Sequence, residues 1–290
     1  MAARPRGYVG AVNDAARVGV VGHVEWIDFA VVSHVPQPGE IVEAREEWQE
    51  AAGGGAVAAV QMRKLAGHAE FFTVVGDDEL AERARSELVV RQQLDLFAAR
   101  RPRPQRRGWT HLDDGHERAI TVIGDRLVPH AEDDLPWDRV YDLDAVYLTG
   151  GDAGAVRAAR AAGVLVATVR AIDAIRESGV ELDVLVASAT DPGERVDAES
   201  LRPPPRHIVL THGADGGSWT GVDGRTGTWA AVPLPGEPVD SYGCGDSFAA
   251  GLAYGLGSGM DLDAALELAA RCGAACLTGR GPYGNQLTLV

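Results

Sequence analysis

The residues best suited to chemistry run from Asp240 to Leu252 and read Asp-Ser-Tyr-Gly-Cys-Gly-Asp-Ser-Phe-Ala-Ala-Gly-Leu. Small residues make a turn, and the apolar positions that follow, including Leu252 and Leu256, continue as a helix. Gly243 and Gly245 let backbone N–H groups point at one spot, and the helix N-terminus adds partial positive charge. Such a nest suits a phosphate whose charge grows in a transition state. Asp246 stands in the same turn, where a carboxylate can take the proton of a hydroxyl. An anion nest beside a carboxylate describes phosphoryl transfer to an alcohol. The same residues also read as a glycine-rich loop in which Asp246 is a helix N-cap.

Composition removes other chemistries. Lys64 is the only lysine and follows Arg63, so the G-x-x-x-x-G-K-[ST] phosphate loop does not occur. Schiff-base chemistry would rest on Lys64 alone, inside a helix-like run. Phosphates must therefore meet backbone amides and helix N-termini. The formal charge of −15 opposes general nucleic-acid binding, which needs a basic face to displace counterions. Arg100 to Arg107 holds five arginines in eight positions around Pro102 and Pro104, and reads as a surface loop ahead of a phosphate patch. Three cysteines, an odd number, fit a reducing compartment, so a cytoplasmic location is expected. Cys272 and Cys276 share a helical face as small buried side chains. No apolar run approaches the roughly 18 residues of a membrane helix.

The elements that must position Asp246 follow from periodicity. Strands are expected at 18–22, 29–32, 40–48 and 71–75, with helices at 56–65 and 79–90. Segments 107–111 and 119–122 pair around a polar turn. Beyond them strand and helix alternate: strands at 145–148, 164–169, 184–187 and 207–211, and helices at 153–162 and 172–178. That rhythm describes a mostly parallel sheet with helices on both faces. The early strands break the rhythm and suit a small antiparallel flap, drawn from about 24–50 and 105–125. Residues 1–17 are expected to be a flexible tail and 18–290 one domain.

The Asp240 segment resembles the C-terminal signature of ribokinase-like (PfkB) carbohydrate kinases, D-[ST]-x-G-A-G-D-x-F, with Cys244 in a small-residue position. Five further blocks resemble the family's in order: Pro36-x-Pro-Gly-Glu40, Gly53-Gly54 through Gly67, Gly76-Asp77-Asp78, Gly115-x-x-Arg118 and Thr211-x-Gly213-x-x-Gly216. The resemblance implies a three-layer α/β fold with a β lid that closes over the acceptor. It implies Asp246 as catalytic base, with Gly243, Cys244 and Gly245 as anion-hole residues. Thr211, Gly213, Gly216 and Ser188 would line the nucleotide site. Asp240 and Tyr242 would border a potassium site, and ATP with magnesium would be the donor. By the same analogy, a homodimer would form through the lid.

Departures concentrate at the acceptor. Glu25, Trp26 and Asp28, with Gly54, Gly55 and Ala58, are the substrate-binding candidates, but Ala58 replaces an asparagine and Glu25 falls where another would be. Trp26 reads equally as a ring stacked on a sugar or base and as lid core. The magnesium-linked N-x-x-E motif reads Ser188-Ala-Thr-Asp191, leaving Asp191 as its acid, acting through water. An ionised Glu25 repels phosphate unless a basic group offsets it. A small neutral acceptor is therefore expected: a sugar, polyol or nucleoside. The alternative is a weakly active or inactive ligand-binding protein on the same fold. A dinucleotide-binding reading fails, because Gly19 and Gly22 do not make G-x-G-x-x-G.

Overall fold

Alternation along short valine-rich strands divides the apolar side chains between the two faces of one large sheet. The computed structural model describes residues 16–115, 118–194 and 201–289. Residues 1–15, most of the expected tail, lie outside them, as do residues 116 and 117 of the Gly115–Arg118 turn.

The first half of the chain comprises β1 (Val18–Val21), β2 (Glu25–Val31), β3 (Glu46–Ala52), α1 (Gly54–Ala66), β4 (Glu70–Val75) and α2 (Glu79–Ser86). A π-helical turn over Glu87–Arg91 extends α2 and leads to β5 (Asp95–Arg100), β6 (Arg107–Leu112) and β7 (Arg118–Ile123). Then come β8 (Ala145–Leu148), α3 (Ala153–Ala159), β9 (Val164–Thr168), α4 (Ile172–Ser178) and β10 (Val184–Ser188). The chain continues with β11 (His207–Thr211), β12 (Gly217–Gly221), β13 (Thr226–Trp229), α5 (Cys244–Gly257) and α6 (Leu262–Leu277).

Nine strands form the main sheet in the order β13-β12-β11-β10-β9-β8-β1-β4-β5, parallel from β11 to β5 and antiparallel at the β11–β12–β13 end. Tyr147, Val166, Val184 and Val186 face the core shared with α1 and α5. Their neighbours Val146, Leu148, Leu165 and Leu185 face a second core under α3 and α4. The result is three layers. Helix starts are locally capped: the Asp78 carboxylate accepts from Ala81 N (3.0 Å), and Asp152 does the same for Ala155 N (2.7 Å).

The lid is a separate four-stranded sheet, β3-β2-β6-β7. It is antiparallel at β2–β3 and β6–β7, and a parallel β2–β6 pairing joins the two hairpins. The strand expected at 40–48 is displaced to Glu46–Ala52, because its register pairs Glu25 with Ala52 and carries the strand directly into Gly53. The strand expected from residue 29 begins at Glu25, since Glu25 and Asp28 interrupt the apolar run yet are both buried. Strands β5, β12 and β13 had no counterpart in the sequence reading.

Candidate active site

The turn into α5 is built from its own hydrogen bonds. Gly243 takes φ 82°, and a Cβ there would meet Val57 Cγ1 at 2.8 Å, so both backbone and space require glycine. Ser247 N donates to Gly243 O (2.9 Å) and opens the helix. Gly245 is exposed, with nothing within 4 Å of where a Cβ would stand, which leaves this face of the turn open to a ligand. Asp240 accepts from Tyr242 N (2.7 Å) and Gly281 N (3.0 Å), and the Tyr242 hydroxyl accepts from Gly53 N (3.2 Å). Those two side chains brace the turn from below. The Cys244 thiol, pushed well above its ordinary range by Cys276 and by burial, stays neutral and packs.

Asp246 sits in the first turn of α5, half-buried, directly facing the start of α1. A Cβ on Gly54 would lie 2.7 Å from Asp246 Oδ1, so glycine there keeps the carboxylate in place. Burial, then the charge of Glu194, push the Asp246 carboxyl up to about 6, against the pull of Arg118, Arg170 and Arg126. Gly55 lets the same helix turn abut the segment between β1 and β2, where a Cβ would meet His23 O at 2.6 Å. Ala58, one turn further on, is fully buried in the core beneath.

On one side of Asp246 lie the ends of β1 and β8 and the start of β2. Glu25 packs over Gly53, and its Oε1 lies 2.8 Å from Arg106 Nε. That ion pair is skewed, because the Arg106 Nε–H is buried and has no hydrogen-bond acceptor. Burial raises the Glu25 carboxyl, while Arg106 and Arg126 pull it back. Arg126 Nη2 donates to Thr149 O (2.8 Å) and lies 3.0 Å from His23 Nδ1. Burial, with Arg126 and Arg106, holds His23 well below its ordinary range, so its ring is neutral and Nδ1 can accept from Arg126.

Two expected members of this group lie elsewhere. Trp26 alternates with Glu25 along β2 and joins the core, its indole N–H without a partner. Asp28, on the same strand face as Trp26, pairs with Arg107 (3.3 Å) and accepts from Gln49. The pleat thus separates both from Glu25. In exchange the site gains Arg106 and Arg126, which the sequence reading missed. Arg106 belongs to the arginine run read as a surface loop, yet its side chain is only 16% exposed. The sequence-based exclusion of phosphate by Glu25 also loses its footing, because a cation stands beside that carboxylate.

The other side of Asp246 faces β10 to β13. Ser188 and Thr211 are register partners at the ends of β10 and β11, followed by Gly213 (φ 60°) and Gly216 (φ 82°). A Cβ on Gly216 would lie 2.1 Å from Trp229 O, and Trp229 stacks on Phe248 of α5, with ring centroids 5.7 Å apart. Asp191 pairs with Arg170. The short 3-10 turn Pro192–Glu194 folds Glu194 back, so that it accepts from Ser188 N and from Arg170 Nε, each at 2.7 Å. Glu194, three residues beyond the expected acid, is the one whose charge is felt at Asp246. The displaced motif Ser188-Ala-Thr-Asp191 hid it.

Residues 159–288 match the pfkB family carbohydrate kinase. That match lies in the C-terminal half of the chain. Over 281 residues it is 29% identical to a protein of Halopiger xanaduensis named ATP-dependent ribose-1-phosphate kinase, covering 89% of this chain and 90% of the relative. It superposes on the Arabidopsis thaliana ribokinase complexed with ribose and ATP with a TM-score of 0.74, at 18% identity over 94% of this chain and 96% of that one. For the Methanocaldococcus jannaschii nucleoside kinase the TM-score is 0.69, at 15% identity over 93% and 94%. These structural likenesses establish the ribokinase-like fold. The matched span contains Asp246, Glu194 and Arg170, whereas His23, Glu25, Arg106 and Arg126 precede it.

Proposed function

We propose that the chain is an ATP-dependent kinase that moves the γ-phosphoryl group to a hydroxyl of a sugar or nucleoside. The observation that carries this reading is Asp246: a half-buried carboxyl raised to about 6, beside an open glycine turn at the N-terminus of a long helix. A base with that affinity takes a hydroxyl proton near neutral pH. The acceptor oxygen then bonds to the γ-phosphorus as the bond to the β-phosphate oxygen breaks. ADP leaves, and the Gly243–Gly245 amides meet the charge that develops on the phosphoryl oxygens. Relatives and fold neighbours named for ribose 1-phosphate, ribose and nucleosides are consistent with this class.

ATP would lie along Thr211, Gly213 and Gly216. Asp191 and Glu194 supply hard carboxylate oxygens that suit the magnesium accompanying ATP, which neutralises phosphate charge. Potassium would sit beside the turn that Asp240 and Tyr242 brace. Exposed Trp109, Ile120, Val122 and Ile123 on the lid support a homodimer through it, and light scattering that finds only monomer would contradict that assembly. Among the described residues no helix is long and apolar enough to cross a membrane.

The test of the kinase reading is an ATP-consumption screen over sugars, sugar phosphates and nucleosides, with the esterified product identified by mass. At least one acceptor should give ADP and a phosphate ester in equal amounts. Absence of turnover with every acceptor would leave the binding-protein alternative.

A further inference from the structure

Arg126 is the unusual cation of this site. Its hydrogen bonds go to a carbonyl and a neutral imidazole, and among the described residues no carboxylate forms an ion pair with it. Burial lowers its affinity for its proton, yet a guanidinium stays charged. Glu25 and Asp246 reach this half-buried cation only through their charge, neither is hydrogen-bonded to it, and an anion is the natural direct partner. Arg106 points the same way: it already lies against Glu25, but its buried Nε–H has no acceptor. Both arginines reach the site from loops that end at the lid or the β1–β8 side. Arg126 is tied to the carbonyl that follows β8 and Arg106 to β2 of the lid, whereas Ser188 and Thr211 end β10 and β11, two and three strands along the sheet from β8, where the nucleotide would lie. Arg170, by contrast, is engaged by Asp191 and Glu194 on the nucleotide side.

We propose that the acceptor is a phosphorylated sugar, whose existing phosphate is held by Arg126 and Arg106 while its free hydroxyl faces Asp246. This rests on the kinase reading above. Guanidinium groups match phosphate oxygens geometrically, and two of them exceed the single negative charge of Glu25. Glu25 keeps a role: it orients Arg106 and accepts from a sugar hydroxyl. The product is a sugar carrying two phosphates.

The experiment compares D-ribose, adenosine, ribose 1-phosphate and ribose 5-phosphate as acceptors in wild-type protein and in Arg126→Gln. Calorimetric binding of the same four compounds without nucleotide is measured alongside. A phosphorylated sugar should be preferred in wild type. Arg126→Gln should raise its KM by about 10- to 100-fold, the usual worth of a charged hydrogen bond. The variant should leave the KM for ATP near its wild-type value and weaken sugar-phosphate binding in the calorimeter by a similar factor. Arg126→Lys, which keeps the charge, should recover part of the loss, and melting temperatures control for folding. If ribose or adenosine is phosphorylated best and Arg126→Gln leaves acceptor KM unchanged, the kinase stands and the phosphate clamp is wrong. A rise in the KM for ATP alone would move Arg126 to the nucleotide and equally overturn the clamp. If a sugar phosphate binds in an Arg126-dependent way but no acceptor is ever phosphorylated, the clamp stands and the kinase reading fails.

Discussion

Gly54 at the start of α1 and Asp246 at the start of α5 meet so closely that a methyl group on Gly54 would lie 2.7 Å from Asp246 Oδ1. Two helix N-termini thus converge on one carboxylate, and the space around it is set by the absence of a side chain. Gly54→Ala must displace either the carboxylate or the first turn of α1. Gly54 does not have the left-handed φ of Gly53, so alanine strains no backbone there. We expect kcat to fall by about 10- to 100-fold, the usual cost of misplacing a catalytic group by an ångström, while the melting temperature stays near wild type. Unchanged kcat in this variant would mean that Asp246 is not held where the reaction needs it.

The raised carboxyl of Asp246 gives the pH dependence a sign. A base works only when deprotonated, so kcat/KM should fall as pH drops through about 6 and level off above it. Arg118 pulls this carboxyl down, so Arg118→Gln should move the acidic limb to higher pH. Its other contacts, to Ser241 O and Oγ, are hydrogen bonds to neutral groups. A limb that stays in place in Arg118→Gln would contradict the electrostatic account.

How much of this was readable beforehand depends on whether a group is local in sequence. The parallel sheet shows itself because each strand is a short apolar run with a helix behind it. The Asp246 turn shows itself because glycine, carboxylate and helix start are consecutive. The acceptor side does not. His23 with Glu25, Arg106, Arg126 and Thr149 come from four separate segments, and only the packing of the lid against β1 and β8 brings them together. Trp26 and Asp28 misled because chain proximity to Glu25 says nothing about which face of a pleated strand a residue takes. Glu194 escaped because its approach depends on a single 3-10 turn.

Glu194 and Asp191 give a test of the metal side. Both pair with Arg170, but Glu194 is the acid felt at Asp246 and is tied to Ser188 N. Glu194→Gln should raise the magnesium concentration for half-maximal rate by several-fold or more, and Asp191→Ala should raise it less. Removing the Glu194 charge should also lower the Asp246 carboxyl and shift the acidic limb to lower pH. A magnesium titration that responds only to Asp191→Ala would reverse the assignment.

The most direct measurement is the turnover of Asp246→Asn with its best acceptor, set beside its thermal melt. The substitution keeps shape and removes the base, so kcat should fall by about two to four orders of magnitude. Stability should move the other way. The carboxyl holds its proton more tightly folded than unfolded, which stabilises the protein at low pH and is lost as pH rises from about 4 through about 6. At pH 7 the buried carboxylate is therefore a burden of roughly 1–3 kcal/mol, and Asp246→Asn should melt at or above the wild-type temperature there, with the advantage fading below about pH 4. An Asp246→Asn protein that folds this way and retains most of its kcat would contradict the central claim.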